Sequence, residues 1–430
     1  MRSSPWRMVP VKECCELIVD CINKTAPSVP YRTPYKMIRT TNVRNGLVDL
    51  SECKYVTYET YKKWTRRATV QEGDVILTRE APIGQVGLIR GDDTVFLGQR
   101  LVQYRADRSV LDPHFLLYAF MSPALQSQFR AHEGSGSVVS HIRVGDCFKF
   151  QIPLPPLSEQ KRIATLLAAL DNRWLLLKKQ NLVLESIAQA VFKSWFIDFD
   201  PVRAKAEGRE PEGMDAETAA LFPGEFRESS QGPIPEGWEI RPLGEVFRVT
   251  MGQSPPGDTY NQDGHGLPFY QGRADFGFRF PGKRVYCTAP TRRAAGGDTL
   301  LSVRAPVGDI NIALQDCAIG RGVAAIRHDY APSFAYYTMW SLSKELKLFE
   351  GEGTVFGSVT QKQLAELLVL CPPKPVLEAF QSVVGVLDSR ILTNEMQCRS
   401  LMALRDTLLP RLISGRLRIP EAEEALKEAL

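Results

Sequence analysis

The chain has 430 residues, enough for two or three domains of ordinary size. Hydrophobic residues make up 44% and charged residues 24%, which excludes wholesale disorder, and no apolar run reaches the roughly 18 residues of a membrane span. The net charge is +4, yet residues 200–230 hold eight acidic and four basic side chains, so the rest of the chain is the more basic part. A moderate basic excess is compatible with nucleic-acid binding but does not identify it. Pro5, Arg7 and Lys12 interrupt any signal-peptide pattern. The nine cysteines include no Cys-x-x-Cys and read as reduced thiols of a cytoplasmic protein.

Taken in chain order, the elements occur twice. Trp6-Arg7-Met8-Val9-Pro10-Val11-Lys12-Glu13 opens the first copy, and Trp238-Glu239-Ile240-Arg241-Pro242-Leu243-Gly244-Glu245 opens the second. Strands are expected at Val75–Leu77, Val86–Ile89 and Val102–Tyr104, between turns rich in Gly, Pro and Asp. Gly73-Asp74-Val75-Ile76-Leu77, running into Ala81-Pro82-Ile83-Gly84, returns as Gly297-Asp298-Thr299-Leu300-Leu301 and Ala305-Pro306-Val307-Gly308. Pro113–Arg130 and Pro332–Phe349 read as helices, each with a proline at its start. Gly134-Ser135-Gly136-Ser137-Val138 matches Gly351-Glu352-Gly353-Thr354-Val355, and Pro155-Pro156 matches Pro372-Pro373. Four matches in the same order mean an internal duplication.

The back part of each copy has a different period. Ile163, Leu167, Leu170, Trp174, Leu177, Asn181, Leu184, Ala188, Val191 and Trp195 follow a 4-3 spacing, as do Phe380, Val384, Leu387, Ile391, Asn394, Cys398, Leu401, Arg405, Leu408 and Leu412. This is a coiled-coil seam. It predicts a helix over about 158–197, capped by Ser158 and roughly 60 Å long, paired antiparallel with its counterpart. Asn181 and Asn394 would fix register on the seam, and Arg405 would snorkel near a helix end. The fold class is therefore α/β, mixed α+β. Two similar globules are joined by two long antiparallel helices in a pseudo-twofold repeat.

Two unlike globules on a rigid rod suit a bipartite DNA site, because B-DNA repeats its groove faces about every 34–36 Å. Arg39-Thr40-Thr41-Asn42-Val43-Arg44-Asn45-Gly46 is a polar turn, and Lys62-Lys63 and Arg66-Arg67 flank Trp64. Residues 273–304 hold Arg273, Arg279, Lys283, Arg284, Arg292, Arg293 and Arg304 against Asp275 and Asp298. Catalytic motifs are not found. Gly252-Gln253-Ser254-Pro255-Pro256-Gly257-Asp258 has P-loop glycine spacing but an Asp in place of the phosphate-binding Lys. Its Pro-Pro loop ends in Gly257, without the aromatic that stacks on a flipped base. No Pro-Asp dipeptide occurs, and His114, His132, His141, His265 and His328 are scattered, though His141 could face DNA.

These features carry a family resemblance. Ile152-Pro153-Leu154-Pro155-Pro156-Leu157-Ser158-Glu159-Gln160-Lys161-Arg162-Ile163-Ala164 resembles the conserved-region opening of the specificity (S) subunits of type I restriction–modification enzymes. Trp195–Val202, Ile234–Trp238, Leu409–Leu417 and the turns at 134–137 and 351–354 are also similar to that family. The second copy departs from it, with Lys374-Pro375-Val376-Leu377 where the first has Leu157-Ser158-Glu159-Gln160.

The resemblance implies target recognition domains at 1–152 and 231–371, conserved helical regions at 153–200 and 372–430, and an acidic linker at 201–230. It implies a non-catalytic, cytoplasmic DNA-binding subunit without cofactor. Double-stranded DNA, two methyltransferase subunits carrying S-adenosylmethionine, and restriction subunits would be its partners, with no membrane contact. The alternative is a protein-binding scaffold without DNA specificity of its own. Loop position and residue type nominate Arg39, Thr41, Asn42, Arg44, Arg79, Gln99, Arg100 and Ser137 in the first globule as DNA-binding. In the second they nominate Gln271, Arg273, Arg304, Arg321 and Thr354.

Overall fold

The computed structural model describes residues 6–132, 141–349 and 357–429. The chain folds as two units. The first joins the residues up to Lys178 with those from Glu395 onward, and the second runs from Lys179 to Asn394.

Among its described residues the first unit holds a six-stranded sheet. Its order is Cys15–Asp20, Leu101–Ala106, Val75–Thr78, Val86–Leu88, Gly46–Val48 and Val43–Arg44. Val75, Ile76 and Leu77 are wholly buried, so this strand is covered on both faces and reads as an apolar run. A smaller sheet sets Lys36–Ile38 parallel to Val95–Leu97, and Arg7–Pro10 pairs antiparallel with Gln151–Leu154. The predicted helix at 113–130 is two, Pro113–Met121 and Pro123–Arg130. Pro123 supplies no N–H and forces Ser122 into an extended conformation (ψ 148°), which ends the first helix. Asp112 caps it by accepting from the backbone N–H groups of His114 and Phe115.

The second unit repeats this plan. Arg248–Met251, Val323–Arg327, Thr299–Ser302 and Ile310–Ile312 form a four-stranded sheet in the order of the first four strands of the six-stranded one. Leu267–Tyr270 runs parallel to Cys317–Ile319, as Lys36–Ile38 does to Val95–Leu97. Glu239–Pro242 pairs with Leu368–Cys371. The repeated Ala-Pro-x-Gly turns match in detail. Ala81–Pro82 and Ala305–Pro306 are both cis. Thr78 Oγ1 donates to Pro82 O at 2.5 Å, and Ser302 Oγ donates to Pro306 O at 2.8 Å.

The long helices span Leu157–Phe196 and Lys374–Ile413, 40 residues each. The first starts one residue earlier than predicted, so Ser158 lies inside the first turn rather than capping it. Each unit pairs the beginning of one helix with the end of the other, which makes the pairing antiparallel. In the first unit Ile163, Leu167, Leu170 and Leu177 share a core with Leu401, Leu408 and Leu412. In the second, Ala188, Phe192 and Trp195 share one with Phe380 and Val384. Both cores continue into the globules, through Phe115 and Leu116 in one and Phe334 and Tyr337 in the other. The seam therefore serves helix pairing and globule packing together.

Asn394 Nδ2 donates to Asn181 Oδ1 at 2.8 Å, with both residues buried. Arg405 does not snorkel. It is 4% exposed, and its guanidinium meets the buried Asp171 at 3.0 Å. It sits more than a turn from the helix end, and two carboxylates balance its charge instead, the buried Asp171 and the neighbouring exposed Asp406. The acidic stretch is folded: Asp200–Ala206 is a short helix, and Val202 and Phe222 are buried with Trp238.

Candidate nucleic-acid interface

In each unit three strand ends converge at one corner of the sheets. In the first they are Lys36–Ile38, Val75–Thr78 and the turn between Val95–Leu97 and Leu101–Ala106. Gly98 N donates to Ile38 O at 2.7 Å, and Arg79 N to Arg100 O at 2.8 Å. Arg39, Arg79, Gln99 and Arg100 thus emerge side by side. In the second unit Gly320 N donates to Tyr270 O at 2.8 Å, and Val303 N to Gly322 O at 3.0 Å. Gln271, Arg304 and Arg321 emerge there. The two backbone frames are equivalent in the repeat: Arg39 and Gln99 correspond to Gln271 and Arg321, whereas Arg79 and Arg100 correspond to Val303 and Gly322.

Details differ among these side chains. Thr41 and Arg44 are exposed on the turn after Arg39, which Asn42 holds together. Asn42 Oδ1 accepts from Arg39 N at 2.9 Å and its Nδ2 donates to Asp49 O at 3.0 Å, so its amide is used within the buried turn. Arg79 donates to Ile142 O at 2.9 Å, which places the segment after residue 140, with exposed His141 and Arg143, beside the same corner. Arg100 is exposed with a left-handed backbone (φ 69°), and its Nε is 3.4 Å from Glu80. Gln99 accepts from Thr25 Oγ1 at 3.2 Å. Arg273 pairs with Asp309, and Arg321 Nε donates to Ser254 Oγ at 3.3 Å. Arg304 is exposed beside Ser358. Ser137 and Thr354 lie outside the described residues.

Sequence reasoning overlooked three neighbours of the second corner. Gln253 N donates to Ile319 O at 3.0 Å, Ser254 meets Arg321, and Arg292 O accepts from Ile319 N at 3.1 Å. The sequence presents Gln253 and Ser254 only within a failed P-loop and a Pro-Pro loop that lacks its aromatic, and Arg292 only as one of a basic run. That run also included Arg279, which is not a surface cation: it is wholly buried.

At the opposite end of the strand that leads into each corner, a buried acid holds the preceding turn. Asp74 accepts from Gln71 N at 2.7 Å, Gln103 Nε2 at 2.7 Å and Arg105 at 2.9 Å. Asp298 likewise accepts from Ala295 N at 2.8 Å and Arg327 Nε at 2.6 Å. These charge-assisted bonds fix the turns from which the neighbouring strands start. The exposed and half-buried cations and amides of the corners are suited to phosphates and base edges. Among the described residues no cluster of His, Cys, Asp and Glu is arranged to hold a metal ion.

The model of the type I restriction modification DNA specificity domain matches residues 3–186 and 235–394. The chain is 28% identical to a protein of Methanocaldococcus jannaschii named as the MjaX specificity subunit of a type I restriction enzyme, over 96% of this chain and 94% of that one. It is 23% identical to the type I restriction enzyme HindI specificity subunit of Haemophilus influenzae, over 82% of this chain and 88% of that one. The crystal structure of a type I restriction-modification S subunit from M. genitalium has a similar fold, with TM-score 0.58 and 18% identity over 96% of this chain and 97% of that one. With both copies of its repeat matched, the chain belongs to the type I restriction modification DNA specificity domain family.

Proposed function

We propose that the chain is the DNA-reading specificity subunit of a type I restriction–modification complex, with residues 1–152 reading one half of a bipartite target and 231–371 the other. The observation that carries this reading is the pair of equivalent corners, each presenting exposed or half-buried cations and amides. Their side chains differ: Arg39, Gln99 and Arg100 stand in one, and Gln271, Arg304 and Arg321 in the other. Equivalent scaffolds with unlike side chains suit unlike half-sites. Recognition is the subunit's own contribution, and catalysis lies on other subunits of the complex.

Two methyltransferase subunits and the restriction subunits would dock on the helical regions 153–200 and 372–430. Apolar side chains exposed on both long helices support this, Leu182 and Val183 on one and Val386 on the other. S-adenosylmethionine would be bound by the methyltransferase subunits. Among the described residues no helix is long and apolar enough to cross a membrane, and all nine cysteines are free, which suits work on DNA in the cytoplasm.

The test exchanges residues 231–371 for the counterpart of another family member and assays DNA binding together with the methyltransferase subunit. One half of the target is expected to change while the other is kept. A chain that merely scaffolds would bind equally well before and after the exchange, with no steep loss of affinity between about 50 and 200 mM salt.

A further inference from the structure

The two units share an acid at the same repeat position, buried as Asp171 and half-buried as Asp388, yet each neutralises it differently. Asp171 and Asp388 both accept from a tyrosine of the helix packed against them, Tyr118 at 2.8 Å and Tyr337 at 3.1 Å. The cation for Asp171 is Arg405, which belongs to a long helix. The cation for Asp388 is Arg279, which belongs to the recognition loop of the second globule.

Arg279 is wholly buried and has four partners. It pairs with Asp388 on one long helix and with Glu185 on the other, at 2.8 Å. It also donates to Tyr337 Oη at 2.8 Å, and its guanidinium lies 3.8 Å over the Tyr336 ring. A planar fork is suited to such a set, and an ammonium is not. The loop that delivers it begins at the second corner. Arg273 pairs with Asp309, and Asn311 grips Gly277 through its N–H at 3.0 Å and its C=O at 3.1 Å. Ile312 N donates to Arg279 O at 2.8 Å, and Asp275 ties Gln271 N to Arg284. Gln271 and Arg273 are therefore linked through a short, stitched segment to an anchor in the helices. In the first unit the strand Gly46–Val48 beside Val86–Leu88 holds no arginine, and Arg44, just before it, is exposed rather than buried in the helices.

We propose that Arg279 is a positioning residue for DNA recognition: it pins the 271–284 loop to the long helices, so that base discrimination at the second half-site depends on it. This rests on the DNA-reading role proposed above. Arg405 provides an internal control, since it neutralises the equivalent acid from within a helix and touches no recognition loop.

The experiment compares wild type, Arg279→Lys and Arg405→Lys, each with the methyltransferase subunit, by selection of bound duplexes from a random library. Both variants keep the charge, and thermal melting identifies the temperature at which each stays folded. Arg279→Lys is expected to lose at least about fivefold in discrimination at one or more bases of the second half-site, the low end for one base contact, and to keep the first motif. Arg405→Lys is expected to keep both motifs. Unchanged motifs in Arg279→Lys, or the same relaxation in Arg405→Lys, would overturn the anchor while leaving the DNA-reading role intact. Absence of any motif with wild type would instead overturn that role.

Discussion

At the scale of single residues, the buried charges decide most. Arg405 and Asp171 face each other within the first unit, and removing one partner leaves the other charged and unsolvated. Arg405→Ala is therefore expected to destabilise that unit by about 3–5 kcal/mol, measured by denaturant unfolding. In the second unit burial pushes the Glu185 carboxyl up, and the Arg279 guanidinium beside it opposes that shift. His328 offers a cleaner test. It packs among Phe247, Tyr330 and Phe334, and its Nδ1 accepts from Ala331 N at 3.2 Å, so the ring is neutral there. Burial lowers its pKa below the usual 6.5, against a smaller opposing effect of Asp329. An unfolded chain then takes up a proton more readily than the folded one. The stability carried by neutral His328 is complete above about pH 6.5 and is lost as pH falls below it. Melting curves from about pH 7 to 5 should show this loss in wild type and a shallower one in His328→Gln.

At the scale of elements, much of the fold was legible in the sequence because the duplication repeats every signal. The strand 75–78, the proline-started helices and both seams follow from local periodicity. What was not legible came from tertiary competition. The break at Ser122–Pro123 was hidden within an otherwise helical stretch, and Arg405 looked like a snorkelling residue because Asp171 is 234 positions away. The seam itself is asymmetric. Asn181 pairs with Asn394 in the second unit, whereas the repeat-equivalent positions are Cys398 and Leu177. Asn181→Leu alone should cost about 1–3 kcal/mol, by leaving the Asn394 amide buried without its partner. The double change Asn181→Leu/Asn394→Leu should recover most of that in a double-mutant unfolding cycle, at the expense of helix register. Gly87 makes a second element-scale test. A Cβ there would lie 2.5 Å from Leu47 O, within the parallel pair that carries the first corner's sheet. Gly87→Ala should lower the melting temperature by several degrees, a shift of the size expected for about 1–3 kcal/mol.

At the scale of the whole molecule, the candidate site was only partly legible. Arg39, Arg79, Gln99, Arg100, Gln271, Arg304 and Arg321 do gather at equivalent corners, the first three half-buried and the others exposed, because all lie at strand ends. Asn42 and Arg279 show why residue type alone is insufficient. One is used by its own turn and the other is buried in the helices, and neither fact is written in the local sequence. Gln253 and Ser254 reach the corner through strand pairing across about seventy residues, a distance over which no spacing rule operates. The duplicated plan gives one chain two equivalent corners with unlike side chains, and the proposal is that each corner reads DNA. The most direct measurement is selection of bound duplexes from a random library, using the whole chain with its methyltransferase subunit. The account predicts enrichment of two short, unlike motifs at one fixed spacing, with affinity that falls steeply as salt rises. Enrichment of no motif, with binding indifferent to salt, would contradict it.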